Sequence, residues 1–198
     1  MHIIALTGGI ACGKSAISET LEYYGAEVID VDKLAHELSN PGEKIFQAYL
    51  SHFGKSILQE DGTLNRRQIG EIVFNNPAEL QWINETTHPI LHTALIERIE
   101  DFFKQGTRLL VLEIPLLFEA GWDDLADENW VVILKRQIQI KRLMRRDNLN
   151  RAQARARIDA QMSQADRIAR ADVVIDNSEM RFVTRDRIAN LLAKRNLL

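Results

Sequence analysis

Gly8-Gly9-Ile10-Ala11-Cys12-Gly13-Lys14-Ser15 fits the pattern G-x-x-x-x-G-K-[ST] at every defined position. Gly8 and Gly13 permit backbone angles that a side chain would block, so successive N–H groups can face a phosphate. A helix beginning at Gly13 adds the positive end of its dipole to the same anion site. Lys14 has the reach to hold the β- and γ-phosphates of a nucleoside triphosphate, and the Ser15 hydroxyl is a suitable magnesium ligand. Gly8, Gly9, Ile10, Ala11, Cys12, Gly13, Lys14 and Ser15 are therefore the expected ATP-binding set. Cys12 falls in the variable part of the pattern and reads as a small residue that fits, with a redox switch as the alternative.

The flanks supply the context this loop requires. Ile3–Leu6 is an apolar run leading into it, and Ile17, Leu21 and Tyr24 line one face of a helix expected from about Gly13 to Tyr24, with Gly25 as its terminator. Four further runs read as buried strands: Glu27–Asp30, Leu109–Ile114, Trp130–Leu134 and Val173–Ile175. Most lack polar alternation, as strands covered on both faces of a parallel sheet do. Helical patterns separate them, so the class is α/β with right-handed crossovers. Two connections are too long for simple crossovers. Residues 33–107 contain helical patterns at Ile69–Phe74 and Ile90–Phe103, with turns at Asn40-Pro41-Gly42, Asp61-Gly62 and Asn75-Asn76-Pro77. Residues 135–170 form the second. Structured insertions at one end of such a sheet commonly build substrate sites or lids.

The bulk properties exclude several classes. The 198 residues are 45% hydrophobic and 27% charged, enough to bury a core without staples. One cysteine rules out an internal disulfide framework and fits a reducing compartment. Met1–Leu6 has no basic segment, long apolar run or cleavage site, so no signal peptide is expected there. No stretch reaches the roughly 18 apolar residues of a membrane span. A cytoplasmic protein is expected, with no membrane partner. The net charge of −3 argues against general nucleic-acid binding, yet the charge is uneven. Residues 135–170 hold eleven Lys/Arg against Asp147, Asp159 and Asp166, a local net of +8 that leaves −11 elsewhere. Such a cluster is either a solvated helix face or a site for a polyanion. Beside a phosphate loop the second reading gains: Arg142, Arg145 and Arg146 share one helix face at i, i+3 and i+4, as arginines of a lid over phosphates would.

Acidic residues at the carboxyl ends of strands are the other candidates. Asp30-Val31-Asp32 ends the second strand, and strand alternation would put Asp30 and Asp32 on one face. Either could take a proton from a substrate hydroxyl or help position magnesium; a helix-capping role remains open beside that. Glu113 closes the third strand, as a magnesium-associated acid or as a structural residue. His88 and His92 have the spacing of a metal pair but no nearby third ligand, so zinc is not expected.

The ordered set of motifs resembles the dephospho-coenzyme A kinase family over nearly the whole chain. Leu6-Thr7-Gly8-Gly9-Ile10 with Gly13-Lys14-Ser15 is similar to the family's opening, and Val28-Ile29-Asp30-Val31-Asp32 to its acidic strand end. Leu64-Asn65-Arg66-Arg67, Val73-Phe74 and His88-Pro89 match its substrate region in order. Pro115-Leu116-Leu117-Phe118-Glu119, Arg142 through Arg146-Asp147, Gln161, Ala171-Asp172 and Ile175-Asp176-Asn177 follow. Two departures stand out: Ala11-Cys12 where the family often has Gly-Ser, and Glu113 where Asp is often expected.

The resemblance implies a three-layer P-loop NTPase fold, its five-stranded parallel sheet in the order 2-3-1-4-5. It assigns 1–32, 108–134 and 171–198 to the nucleotide-binding core, 33–107 to a helical acceptor-binding insertion and 135–170 to a helical lid. It implies transfer of the ATP γ-phosphoryl group to the ribose 3′-hydroxyl of dephospho-coenzyme A, with Mg²⁺ as cofactor, by a monomer. Asp32 would be the general base, with Lys14, Arg142 and Arg146 as further catalytic residues. Arg66 and His88 would join Asp32 at the acceptor, Asn177 would lie near the adenine, and Ser15, with Glu113 as a second candidate, would hold the metal. The nearest rival is another small-molecule kinase of the nucleoside monophosphate or shikimate type, which lacks the Pro-Leu-Leu-Phe-Glu and His-Pro strings in this arrangement. A guanine-nucleotide switch would need Asn-Lys-x-Asp, which is absent. A nucleic-acid module would need aromatics in 135–170, and that segment has none.

Overall fold

The computed structural model describes residues 1–198, apart from the side chain of Phe74, so that member of the Val73-Phe74 string lies outside the described residues. Strands β1 (His2–Gly8), β2 (Glu27–Asp30), β3 (Leu109–Glu113), β4 (Glu128–Ile133) and β5 (Val173–Asp176) match the five apolar runs to within two residues at each end. They form one sheet in the order β2-β3-β1-β4-β5, parallel throughout, as expected. Alternating strand residues explain why polar ones are scarce. Ile4, Leu6, Leu109, Val111, Trp130, Val132 and Ile175 point into one core, shared with Ile17 and Leu21 of α1 (Lys14–Tyr23). Their neighbours Ala5, Leu110, Leu112 and Val131 are equally buried, so the central strands expose neither face.

The chain divides into two compact units, Met1–Asp30 with Phe102–Leu198, and Val31–Asp101. Besides the sheet and α1, the first holds α6 (Leu117–Ala120), α7 (Arg136–Asp147), α8 (Arg151–Asp159), α9 (Gln164–Ala169) and α10 (Arg181–Ala193). Ile188 and Leu192 of α10 complete the core on the α1 side. Residues 135–170 thus contain three helices, of which α7 and α8 share an apolar seam of Ile140, Leu143, Ala154 and Ile158. Asn150 begins α8 with a reciprocal capping box to Gln153, and Ser163 caps α9.

The second unit contains α2 (Val31–Glu37), α3 (Lys44–Phe53), a short 3₁₀ turn (Lys55–Ile57), α4 (Arg66–Asn75) and most of α5 (Pro77–Lys104). Its core gathers Phe46, Ile57, Leu64 and Ile69, with Tyr49, Phe53 and Ile83 packed against them. The break at Asn76 before Pro77 is the turn expected there. The helix expected over Ile90–Phe103 is longer than its pattern, because α5 runs through Pro89. One expectation fails: Asp32 does not end a strand. The strand stops at Asp30 and the chain turns directly into α2, whose first turn contains Asp32. Strand alternation therefore does not relate Asp30 to Asp32, and Asp32 is placed where a carboxylate complements a helix dipole.

No helix among the described residues is long and apolar enough to cross a membrane. Leu21 is fully buried between α1 and the sheet. Leu21→Ala should lower the unfolding free energy by about 3 kcal/mol, read as a reduced denaturant midpoint at unchanged slope. Cys12 belongs to the same core and is 2% exposed. Burial pushes its thiol above its ordinary value, against the opposing pull of Lys14 and Arg167. Because the native thiol keeps its proton to higher pH than the unfolded one, it leaves stability unchanged below the unfolded thiol's pKa and lowers it as pH rises from there through the native value. A thiol reagent at mildly alkaline pH should accordingly label the native protein far more slowly than the unfolded one. Comparable rates would refute the buried, protonated state and restore the redox alternative.

Candidate active site

Residues 8–15 emerge from the carboxyl end of the central strand β1 and enter α1. Glycine is needed at both ends for different reasons. A Cβ on Gly8 would come within 2.4 Å of the Val132 carbonyl oxygen and 2.7 Å of Cys12 Sγ. Gly13 has φ 93° and stands as the residue before α1, where a Cβ would meet Asn177 Nδ2 at 2.3 Å and Arg142 Nη1 at 3.2 Å. No side chain caps α1. Its first amides, which have no intrahelical partner, are oriented along the helix axis toward the loop.

The side chains expected at the phosphates converge here. Lys14 Nζ donates to the Gly8 carbonyl at 3.1 Å, folded back along the loop. Ser15 Oγ donates to Glu113 Oε1 at 3.2 Å, and Ser18 Oγ donates to Glu113 Oε2. Glu113 is 8% exposed, and its register partners are Leu6 of β1 and Asp30 of β2. A hydroxyl and a carboxylate side by side form a hard oxygen donor pair. That pair fits magnesium, which keeps several waters and draws its other ligands from phosphates.

Asn177 follows β5 and is buried; its Nδ2 donates to the Cys12 carbonyl at 2.9 Å, bracing the loop from a strand end two places away in the sheet. Arg142 reaches Gly13 from α7, and together with Arg145, Arg146, Ile138 and Lys141 it lines a cavity of about 370 Å³. Arg146 also pairs with Asp147 at 2.7 Å, and that guanidinium holds the Asp147 carboxyl below the usual carboxylate range. Arg136, Arg157, Arg167 and Arg170 likewise pair with Asp159, Asp147, Glu119 and Asp123. Part of the basic cluster is therefore structural.

Asp32, Arg66 and His88 lie in the second unit. Arg66 is the first residue of α4, follows the capping residue Asn65, and contacts His36 Nδ1 of α2. His88 lies inside α5, immediately before Pro89. Four participants at the loop carried no assigned role in the sequence. Ser18 could have been found, since it stands three residues beyond Ser15 on the same helix face. Gln139, Gln161 and Arg167 reach the loop only through the packing of α7–α9, which no local pattern encodes.

Known proteins agree with this geometry. The dephospho-CoA kinase family model matches residues 2–181. The dephospho-CoA kinase of Carboxydothermus hydrogenoformans is 44% identical over 194 residues, which is 98% of this chain and 94% of that one. The solved dephospho-CoA kinase from Campylobacter jejuni is 29% identical with a TM-score of 0.74, over 97% of this chain and 96% of its own. A shikimate kinase from Bacteroides thetaiotaomicron reaches a TM-score of 0.57 at 12% identity, over 97% and 98%, a likeness of fold alone. A full-length match at this identity, on a chain whose strand order and phosphate loop are those of a P-loop kinase, leaves one assignment: the chain belongs to the dephospho-CoA kinase family.

Proposed function

We propose that this enzyme transfers the γ-phosphoryl group of ATP to the ribose 3′-hydroxyl of dephospho-coenzyme A, giving coenzyme A and ADP, the last step of coenzyme A biosynthesis. The observation that carries the reading is the loop of residues 8–15, with Lys14 and the Ser15–Glu113 pair at its end, in a chain of this family. Loop amides and the α1 terminus hold the β- and γ-phosphates, and Lys14 follows the charge that moves onto the leaving ADP. Ser15 and Glu113 would hold magnesium, which supplies further neutralising charge to the phosphates. The acceptor oxygen bonds to the γ-phosphorus while the bond from that phosphorus to the bridging oxygen breaks. The hydroxyl proton passes to the Asp32 carboxylate, and ADP leaves with the electron pair.

The unit Val31–Asp101 holds the acceptor, with Arg66 and His88 as its contacts. Residues 135–170 act as the lid, from which Arg142 and Arg146 stabilise the equatorial oxygens, and Asn177 lies toward the adenine. The position of Arg142 against Gly13 supports its share of this role. The single cysteine supports a reducing compartment, so we place the reaction in the cytoplasm, on a monomer without nucleic-acid or membrane partners.

Mass spectrometry of the product from dephospho-coenzyme A and Mg-ATP should show the acceptor heavier by one phosphate. ATP consumption that is indifferent to this acceptor would reject the assignment. In single-turnover experiments Asp32→Asn should slow the chemical step by about a hundredfold or more while MgATP affinity stays close to wild type. Lys14→Ala should instead weaken both binding and turnover. A near-normal rate for Asp32→Asn would remove Asp32 as the base.

A further inference from the structure

The peptide groups flanking Ile10 are gripped by two glutamines of the basic segment. The Ile10 N–H donates to Gln161 Oε1 at 2.8 Å, and the Ile10 carbonyl accepts from Gln139 Nε2 at 2.8 Å. Gln139 comes from α7 and is 7% exposed; Gln161 stands in the turn between α8 and α9. The amide of Gln139 passes directly over Gly9, where a Cβ would lie only 2.9 Å from Nε2. The turn bearing Gln161 is itself anchored, because Glu119 Oε1 accepts from the Met162 N–H at 3.3 Å and from Arg167 Nη2 at 3.2 Å. Arg167 is 4% exposed and borders, with Gly9, Gln139 and Gln161, a cavity of about 240 Å³.

The residue after the clamp is the exceptional one. Ala11 has φ 59°, one of three non-glycine residues with positive φ among those described. A left-handed conformation crowds Cβ against the following carbonyl, so an alanine there must be held in place by its surroundings. Three sets of contacts do so: the hydrogen bonds on either side of Ile10, the turn closed by the Cys12 N–H on the Gly9 carbonyl at 3.1 Å, and the packing of Ile10 and Ala11 on the seam of Ile140, Leu143, Ala154 and Ile158. Releasing the clamp would let the peptide between Ile10 and Ala11 rotate and relieve the strain. The turn closed by the Cys12 N–H on the Gly9 carbonyl would open, and the amides of Ala11 and Gly13 would lose the direction that a phosphate requires.

We propose that Gln139 and Gln161 are positioning residues for phosphate binding, which hold the Ile10 backbone so that Ala11 stays left-handed and the Ala11 and Gly13 amides face the anion. The proposal rests on residues 8–15 being the ATP site. It makes the shape of the loop conditional on the docking of α7–α9, with Glu119 and Arg167 as the anchor of that docking. The Pro115–Glu119 string thereby acquires a physical role, since its last residue fastens the turn that fastens the loop.

Gln139→Met and Gln161→Met, each with and without Ala11→Gly, test it by calorimetric MgATP affinity, KM for ATP and for the acceptor, and melting temperature. Each Gln→Met change should weaken MgATP binding about tenfold and raise KM for ATP, leaving the acceptor KM unchanged. Adding Ala11→Gly should recover most of the loss, because glycine adopts the left-handed conformation without the Cβ penalty. Wild-type affinity in both glutamine variants overturns the proposal. So does a loss of affinity that tracks melting temperature and is not recovered by Ala11→Gly, which is the behaviour of general destabilisation. Independently of any variant, the Ile10 amide of the nucleotide-free wild type should be protected from hydrogen exchange, and rapid exchange there would also overturn the clamp. A wild-type protein that binds no MgATP would remove the ATP-site reading instead, and the clamp with it.

Discussion

The constraint on which the site depends is the confinement of β1. It is the central strand, hydrogen-bonded to β3 on one side and β4 on the other, and it must release the chain into a helix within six residues. The Val132 carbonyl of β4 stands so close to Gly8 that no side chain fits there, and Asn177 beyond β5 closes on Gly13 in the same way. The loop has no room to fold back into the sheet. It must arch over the strand ends, and an arch of short peptides between two glycines turns amides toward its own centre.

The two candidate acids, Glu113 and Asp32, differ in what holds them. Glu113 is fixed from three directions: β1 and β2 pair with its strand, and two serines of α1 hydrogen-bond its carboxylate. That preorganisation suits a group that helps hold a metal ion, since little rearrangement is needed to present an oxygen. Asp32, by contrast, sits in the first turn of a helix in the other compact unit.

The basic segment serves two purposes at once. Several of its arginines neutralise aspartates and glutamates within the first unit and fasten α7–α9 to α6 and to one another. Arg142 is carried by α7 to the mouth of the loop, beside Gly13. Asp147 and Asp159 take up part of the repulsion among the segment's eleven cationic side chains, and with Asp166 they bring it to its net of +8. What remains is a net positive charge concentrated in one segment of the chain.

Local order in the chain was enough to establish the strands, the first helix and the identity of the phosphate loop. Their information is short-range: apolar runs without polar alternation, glycines at fixed spacing, and a lysine and serine at the start of an amphipathic helix. The ordered motifs extended this to a family, and with it to the strand order. Where Asp32 lies was misjudged, because the switch from strand to helix after Asp30 carries no Gly or Pro to mark it. The grip of Gln139 and Gln161 on Ile10, the bracing of Cys12 by Asn177 and the anchoring by Glu119 were illegible for a deeper reason. Those contacts join residues far apart in the chain. An amide side chain looks the same in sequence whether it faces water or a peptide 129 positions away, and only the folded packing of α7–α9 on the sheet decides which.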